Sequence, residues 1–121
     1  MVQIGHNVIV GQDNIIVSQT GIAGSVKTGR HVVMGGQAGI VGHLEITDGV
    51  MIATRGGVSK SLKKSGKYAG SPAIPLADYN RQQVLLRNVE SFVEEIKELK
   101  RKIEEFEKKL ASANAPTNSN N

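Results

Sequence analysis

Residues 4–58 read, in groups of six, IGHNVI VGQDNI IVSQTG IAGSVK TGRHVV MGGQAG IVGHLE ITDGVM IATRGG V. The groups open on Ile4, Val10, Ile16, Ile22, Thr28, Met34, Ile40, Ile46, Ile52 and Val58, and only Thr28 is not apolar. Two residues ahead of each stands a second small or apolar set: Val2, Val8, Val26, Val32, Ala38, Leu44 and Val50. Asn14, Thr20 and Gly56 interrupt that set. Glycine directly follows the key position at Gly5, Gly11, Gly29 and Gly35. A period of six fits neither the 3.6-residue turn of a helix nor the two-residue alternation of a flat strand. It is the period of a parallel β-helix built from hexapeptide repeats. Three hexads close one triangular coil, so residues 1–59 are expected to form about three coils, with short strands on the faces and glycine-containing turns at the corners.

Working outward, the segment 60–76 carries Lys60, Lys63, Lys64, Lys67, Gly66, Gly70, Pro72 and Pro75. The prolines and glycines predict a fixed basic loop leaving the coil. Residues 77–110 predict one long helix. Val89, Ile96, Ile103 and Leu110 occupy heptad position a, and Leu85, Phe92, Leu99 and Phe106 position d. Glu95 can meet Lys100, and Lys102 can meet Glu107, across two parallel helices, so self-association is expected, and three strands suit a triangular solenoid. A lone amphipathic helix packed on the solenoid is the other option. Residues 111–121 lack any hydrophobic pattern and are expected to be a disordered tail. Met1-Val2 enters the first coil without a capping segment, which predicts a C-terminal piece of a longer protein, or a cover supplied from elsewhere.

Composition narrows the function classes. The 121 residues contain no cysteine, which excludes disulfides and thiolate zinc sites and suits a reducing, cytoplasmic compartment. No run approaches the ~20 apolar residues of a membrane span, and no signal segment opens the chain. The net charge is +4. Its distribution matters more: Arg55, Lys60, Lys63, Lys64, Lys67, Arg81 and Arg87 face a single acidic residue, Asp78, between positions 55 and 87. Such a stretch suits docking of an anionic partner. Tyr68 and Tyr79 lie within it, but no recognition-helix signature accompanies them, so nucleic-acid binding is not expected.

The register also places the histidines. His6 lies two residues past Ile4 and His43 three past Ile40, on one edge two coils apart, about 10 Å at the usual strand spacing. Gly24, eighteen residues after His6, falls between them and leaves an approachable backbone N–H. A base, an open amide and a second imidazole are what an acyl transfer needs, the base for the nucleophile's proton and the amide for the oxyanion. The same spacing also suits two solvent-facing corner histidines. His31 falls on another face, as an exposed residue. With no cysteine and no carboxylate adjacent to a histidine, no metal site is expected.

Four motifs in order carry a family resemblance: Gln3-Ile4-Gly5-His6-Asn7-Val8-Ile9-Val10-Gly11, Ile22-Ala23-Gly24-Ser25, Gly35-Gly36-Gln37-Ala38-Gly39-Ile40-Val41-Gly42-His43 and Gly66-Lys67-Tyr68-Ala69-Gly70-Ser71-Pro72-Ala73. Over positions 2 to about 80 the chain resembles the UDP-3-O-(3-hydroxyacyl)glucosamine N-acyltransferases of lipid A biosynthesis. The sister O-acyltransferase acting on UDP-N-acetylglucosamine shares the first histidine segment and is less similar beyond it. The resemblance implies a left-handed parallel β-helix with a C-terminal helix, assembled as a homotrimer with active sites between subunits. It implies no permanently bound cofactor, the acyl group arriving on the phosphopantetheine of acyl carrier protein, with UDP-acylglucosamine as acceptor. By the same resemblance His6 is the general base, the Gly24 N–H the oxyanion donor, and His43 a support for the thioester end. Asn7 lies beside the base as a substrate contact. Lys60, Lys63, Lys64, Lys67, Arg81 and Arg87 receive acyl carrier protein. Some relatives place methionines in the segment matching Arg55–Ser59, whereas Gly56 and Gly57 here imply an open groove and a longer acyl chain. The family's uridine-binding domain and earlier coils have no counterpart in this sequence, which makes an inactive trimeric scaffold that binds acyl carrier protein the alternative. The expected location is the cytoplasm, with the periphery of the inner membrane as a further option.

Overall fold

The computed structural model describes residues 1–114, in two compact units that divide between Gln82 and Gln83. Its elements are β1 (Gln3–Ile4), β2 (Ile15–Ile16), β3 (Gly21–Ile22), β4 (Lys27–Thr28), β5 (Val33–Met34), β6 (Gly39–Ile40), β7 (Glu45–Ile46), β8 (Val50–Ile52), β9 (Gly57–Val58), β10 (Gly66–Ala69), β11 (Ile74–Pro75), α1 (Leu76–Arg87) and α2 (Val89–Ala113).

The strands stack on three faces of a solenoid. The first face is β1-β3-β6-β9, the second β4-β7, and the third β2-β5-β8-β10, with β11 added antiparallel to β10. Gln3, Gly21, Gly39 and Gly57 stand in line, as do Ile15, Val33 and Met51. Each step is eighteen residues, or three hexads per coil. The hexad-opening residues point inward: Ile22, Met34, Ile40, Ile46, Ile52 and Val58 are buried together with Val26, Val32, Ala38 and Val50. Stacked aliphatic columns thus form the core.

The corners repeat with equal regularity. Asn7, Asp13, Gln19, Ser25, His31, Gln37, His43 and Arg55 all have φ between 54 and 64°. A non-glycine residue in this left-handed region costs about 1–2 kcal/mol. From the second coil onward a ladder bond offsets that cost. Ser25 N donates to His6 O (2.8 Å), Gln37 N to Ser18 O (3.1 Å), and His43 N to Gly24 O (3.0 Å). One corner adds a side-chain ladder, Arg55 Nε to Gln37 Oε1 (2.8 Å) and Gln37 Nε2 to Gln19 Oε1 (2.7 Å).

Two boundaries differ from expectation. The segment 60–76 is not simply a loop leaving the coil, because most of it forms a fourth, shortened coil. Leu62 bridges to Ile46, and Gly66, Lys67 and Tyr68 pair in parallel with Val50, Met51 and Ile52, each sixteen residues back instead of eighteen. Two missing residues shift the register, so the inward places fall on Leu62 and Tyr68 rather than Lys64 and Gly70. The long helix is divided at Asn88 into α1 and α2. α2 also extends through Ala113, into the expected tail, and residues 115–121 lie outside the described residues.

Candidate active site

His6 occupies the corner that follows the first face. Its column at eighteen-residue spacing is His6, Gly24, Gly42, and the neighbouring column is Asn7, Ser25, His43. The His6 imidazole lies directly against the α-carbon of Gly24: a Cβ built there would stand 2.5 Å from His6 Nε2 and 2.7 Å from Cε1. A side chain at position 24 would push the exposed His6 ring off this seat, so the glycine is what lets the ring lie there. Among the hydrogen bonds of the described residues the Gly24 N–H donates to no acceptor. The same position at other corners is similarly open, except at Arg30, whose N–H donates to Asp48 Oδ1 (2.7 Å). What distinguishes Gly24 is the combination of a free N–H with an imidazole against its α-carbon.

His6, Gly24 and His43 therefore do share one edge, but His43 stands above Asn7 and not above His6. It is an exposed left-handed corner residue whose N–H is tied to Gly24 O. Asn7 is likewise exposed at such a corner, and His31 is exposed at another. Among the described residues no group of three or more His, Asp or Glu side chains is placed to hold a metal ion.

Next to this corner the first face carries an open groove of about 760 Å³. Its floor is the column Gly21, Gly39, Gly57 and its edge includes Ala23, Val41 and Ser59. A Cβ built on Gly21 or Gly39 would meet nothing within 4 Å. The two predicted groove glycines separate here. Gly57 lines the groove, but the space above it is covered, since its Cβ would stand 2.5 Å from Ser71 Oγ. Gly56 is buried and its Cβ would point at Ile52 Cγ2, 2.6 Å away, so it faces the solenoid interior and does not line the groove. Sequence reading missed Gly21, Gly39, Ser71 and Pro72 as lining residues. The eighteen-residue recurrence of glycine at 21, 39 and 57 was the available signal.

The basic residues divide between elements. Lys60, Lys63, Lys64 and Lys67 are exposed on the fourth coil. Arg81 pairs with Asp78 (3.4 Å) within α1, and Arg87, which falls in the second unit, donates from Nε to Gln83 O (3.4 Å). No helix among the described residues is long and apolar enough to cross a membrane.

Over 89 residues the chain is 48% identical to a UDP-3-O-acylglucosamine N-acyltransferase of Helicobacter hepaticus, covering 74% of this chain and 27% of that protein. The expected resemblance holds. A UDP-3-O-acylglucosamine N-acyltransferase of Campylobacter curvus is 54% identical over 84 residues (69% and 26%), and one of Methylococcus capsulatus 33% identical over 103 residues (85% and 29%). The chain thus spans about a quarter of the length of the curated N-acyltransferases it matches. No protein-family model matches it. Among solved structures, the acetyltransferase domain of PglB from Neisseria gonorrhoeae aligns at a TM-score of 0.41 and 13% identity, covering 61% of this chain and 51% of that one.

Proposed function

We propose that this chain carries the acyl-transfer centre of a UDP-3-O-acylglucosamine N-acyltransferase. It moves a 3-hydroxyacyl group from acyl carrier protein to the amine of the acylated glucosamine. The observation that carries this reading is the His6 ring lying against Gly24, whose N–H is free and whose chain neighbour Ala23 lines the apolar groove. The amine nitrogen attacks the thioester carbonyl while its proton passes to His6. The Gly24 N–H donates to the oxyanion of the tetrahedral intermediate, which collapses to the amide. The departing thiolate then takes the proton from His6, leaving a free phosphopantetheine thiol. The acyl chain lies along the first face, and His43 supports the thioester end. The solenoid is left-handed, and three copies assemble through the exposed apolar seam of α2, whose heptad spacing supports that reading. The setting is cytoplasmic.

Transfer of the acyl group from 3-hydroxyacyl carrier protein to UDP-3-O-acylglucosamine tests the proposal. His6→Ala is expected to lower kcat about 10²–10⁴-fold, the usual worth of a general base. Gly24→Ala keeps the N–H but drives the imidazole off its seat, and is expected to cost a similar factor with an unchanged circular dichroism spectrum. Turnover that survives both substitutions overturns the assignment. Carrier binding without turnover in the intact chain would support a scaffold instead.

A further inference from the structure

We propose that Ala23 and Gly42 are positioning residues that keep the Gly24 N–H free for the oxyanion, by excluding the side-chain cap that closes the matching N–H one corner further on. This rests on the acyl-transfer reading and adds two residues to its machinery. The solenoid supplies its own comparison. Gln12, Arg30 and Asp48 stack at the next corner as His6, Gly24 and Gly42 stack at this one, with Gly29 in the place of Ala23. The two corners share one backbone ladder. Gly29 N donates to Ile46 O (2.7 Å) as Ala23 N does to Ile40 O (3.0 Å). His31 N donates to Gln12 O (3.0 Å) as Ser25 N does to His6 O (2.8 Å).

The side chains differ. At the Arg30 corner, Asp48 turns back from the following coil and its Oδ1 accepts from Arg30 N (2.7 Å). The carboxylate passes over Gly29, where a Cβ would collide with Asp48 Oδ1. A cap of this kind therefore needs an acceptor on the following coil and no side chain beneath it. The Gly24 corner meets neither condition. Gly42 brings no acceptor, and the methyl of Ala23 stands where Gly29 has none, 3.7 Å from where a Gly42 side chain would begin. That same starting point lies 4.0 Å from Gly24 N, so a side-chain oxygen one group further out comes within reach of the N–H. An acceptor there would occupy the donor before the reaction and cancel its preference for the charged intermediate.

Transplanting the cap tests this. Ala23→Gly with Gly42→Asp copies the Gly29–Asp48 pair at the Gly24 corner, and Ala23→Gly with Gly42→Asn does so without adding charge beside His6. Both are compared with Ala23→Gly alone. Amide hydrogen exchange at Gly24, read by NMR on the intact chain without substrate, is expected to slow about 2–12-fold in the Asn variant, the worth of one neutral hydrogen bond. In the transfer reaction kcat should fall about 10²–10³-fold with KM little changed, as for loss of an oxyanion donor. Asp48→Gly, the reverse change, should speed exchange at Arg30 about tenfold, and it decides the capping rule if the double variants do not fold. Exchange at Gly24 unmoved in both double variants, or at Arg30 unmoved in Asp48→Gly, overturns this inference alone. Turnover that survives while the Gly24 amide is protected overturns both this inference and the assignment of that N–H as oxyanion donor. Protection gained at Gly24 in a chain whose wild type performs no transfer supports the capping rule and overturns only the acyl-transfer reading.

Discussion

Thr28 sits where nine other hexads place an aliphatic residue, and it is 7% exposed. Its Oγ1 accepts from Asn14 Nδ2 (2.7 Å) and from Gly11 N (3.1 Å), while Asn14 Oδ1 accepts from Val32 N (2.9 Å). Two separate interruptions of the sequence pattern are thus one hydrogen-bonded unit that also serves two backbone N–H groups. Another interruption, Thr20, directs its hydroxyl to Val17 O (2.7 Å) and Gly35 O (3.1 Å). Thr28→Val preserves shape and removes the acceptor, leaving the Asn14 amide and the Gly11 N–H without their partner. The expected cost is about 1–3 kcal/mol in urea denaturation. Asn14→Ala should cost a similar amount, and the double variant less than the sum, because the shared bond is lost only once. Strict additivity would show the two residues to be independent. The sequence displays the irregularities but not their pairing, since a partner fourteen residues away in another column is visible only once coil geometry is known.

At the scale of the element, α2 presents Val89, Phe92, Ile96, Leu99, Ile103, Phe106 and Leu110 to solvent, from 40% exposed at Phe92 to 68% at Phe106. A contiguous apolar seam of this length marks an interaction surface. Arg101 bonds Glu98 and Glu105 (2.7 Å each) on the same helix. The hydrogen bond and charge of Arg101 hold the Glu98 carboxyl below its ordinary value. That interaction is therefore present at neutral pH and is lost as pH falls through the lowered folded value. Because the pair is solvent-exposed and screened by salt, the seam outweighs it. Ile103→Lys, at a central a position, buries a charge in any parallel bundle. The intact chain is expected to sediment as a trimer and the variant as a smaller species. A wild-type chain that sediments as a monomer overturns the trimer proposal. The helical period of this region was legible in the sequence because periodic apolar residues are a direct physical signal. The break at Asn88 was not, because the seam runs past it from Leu85 to Val89 without a slip.

For the molecule as a whole, the legible part is what repeats. The eighteen-residue coil, the corner holding His6 and Gly24, and the stacked core all follow from a fixed period. The parts that were missed are where the period changes. Shortening the fourth coil by two residues carried Lys60, Lys63, Lys64 and Lys67 out of the expected loop and onto solenoid backbone. Lys67 now stands outward beside Met51 on the third face. The proposed docking of acyl carrier protein therefore rests on lysines held by a coil, with Arg81 partly neutralised by Asp78 and Arg87 in a separate unit. Exposed charges of this kind act mainly through encounter rate and are screened over about 8–10 Å at physiological salt. Reversing Lys63, Lys64 and Lys67 to Glu should lower affinity for the acidic carrier at least tenfold and remove the salt dependence of its on-rate in stopped-flow measurements. The groove's affinity for free 3-hydroxy fatty acids should stay unchanged. If carrier binding keeps its rate and its salt dependence, the lysines of the fourth coil are not the docking surface and the partner must approach another face.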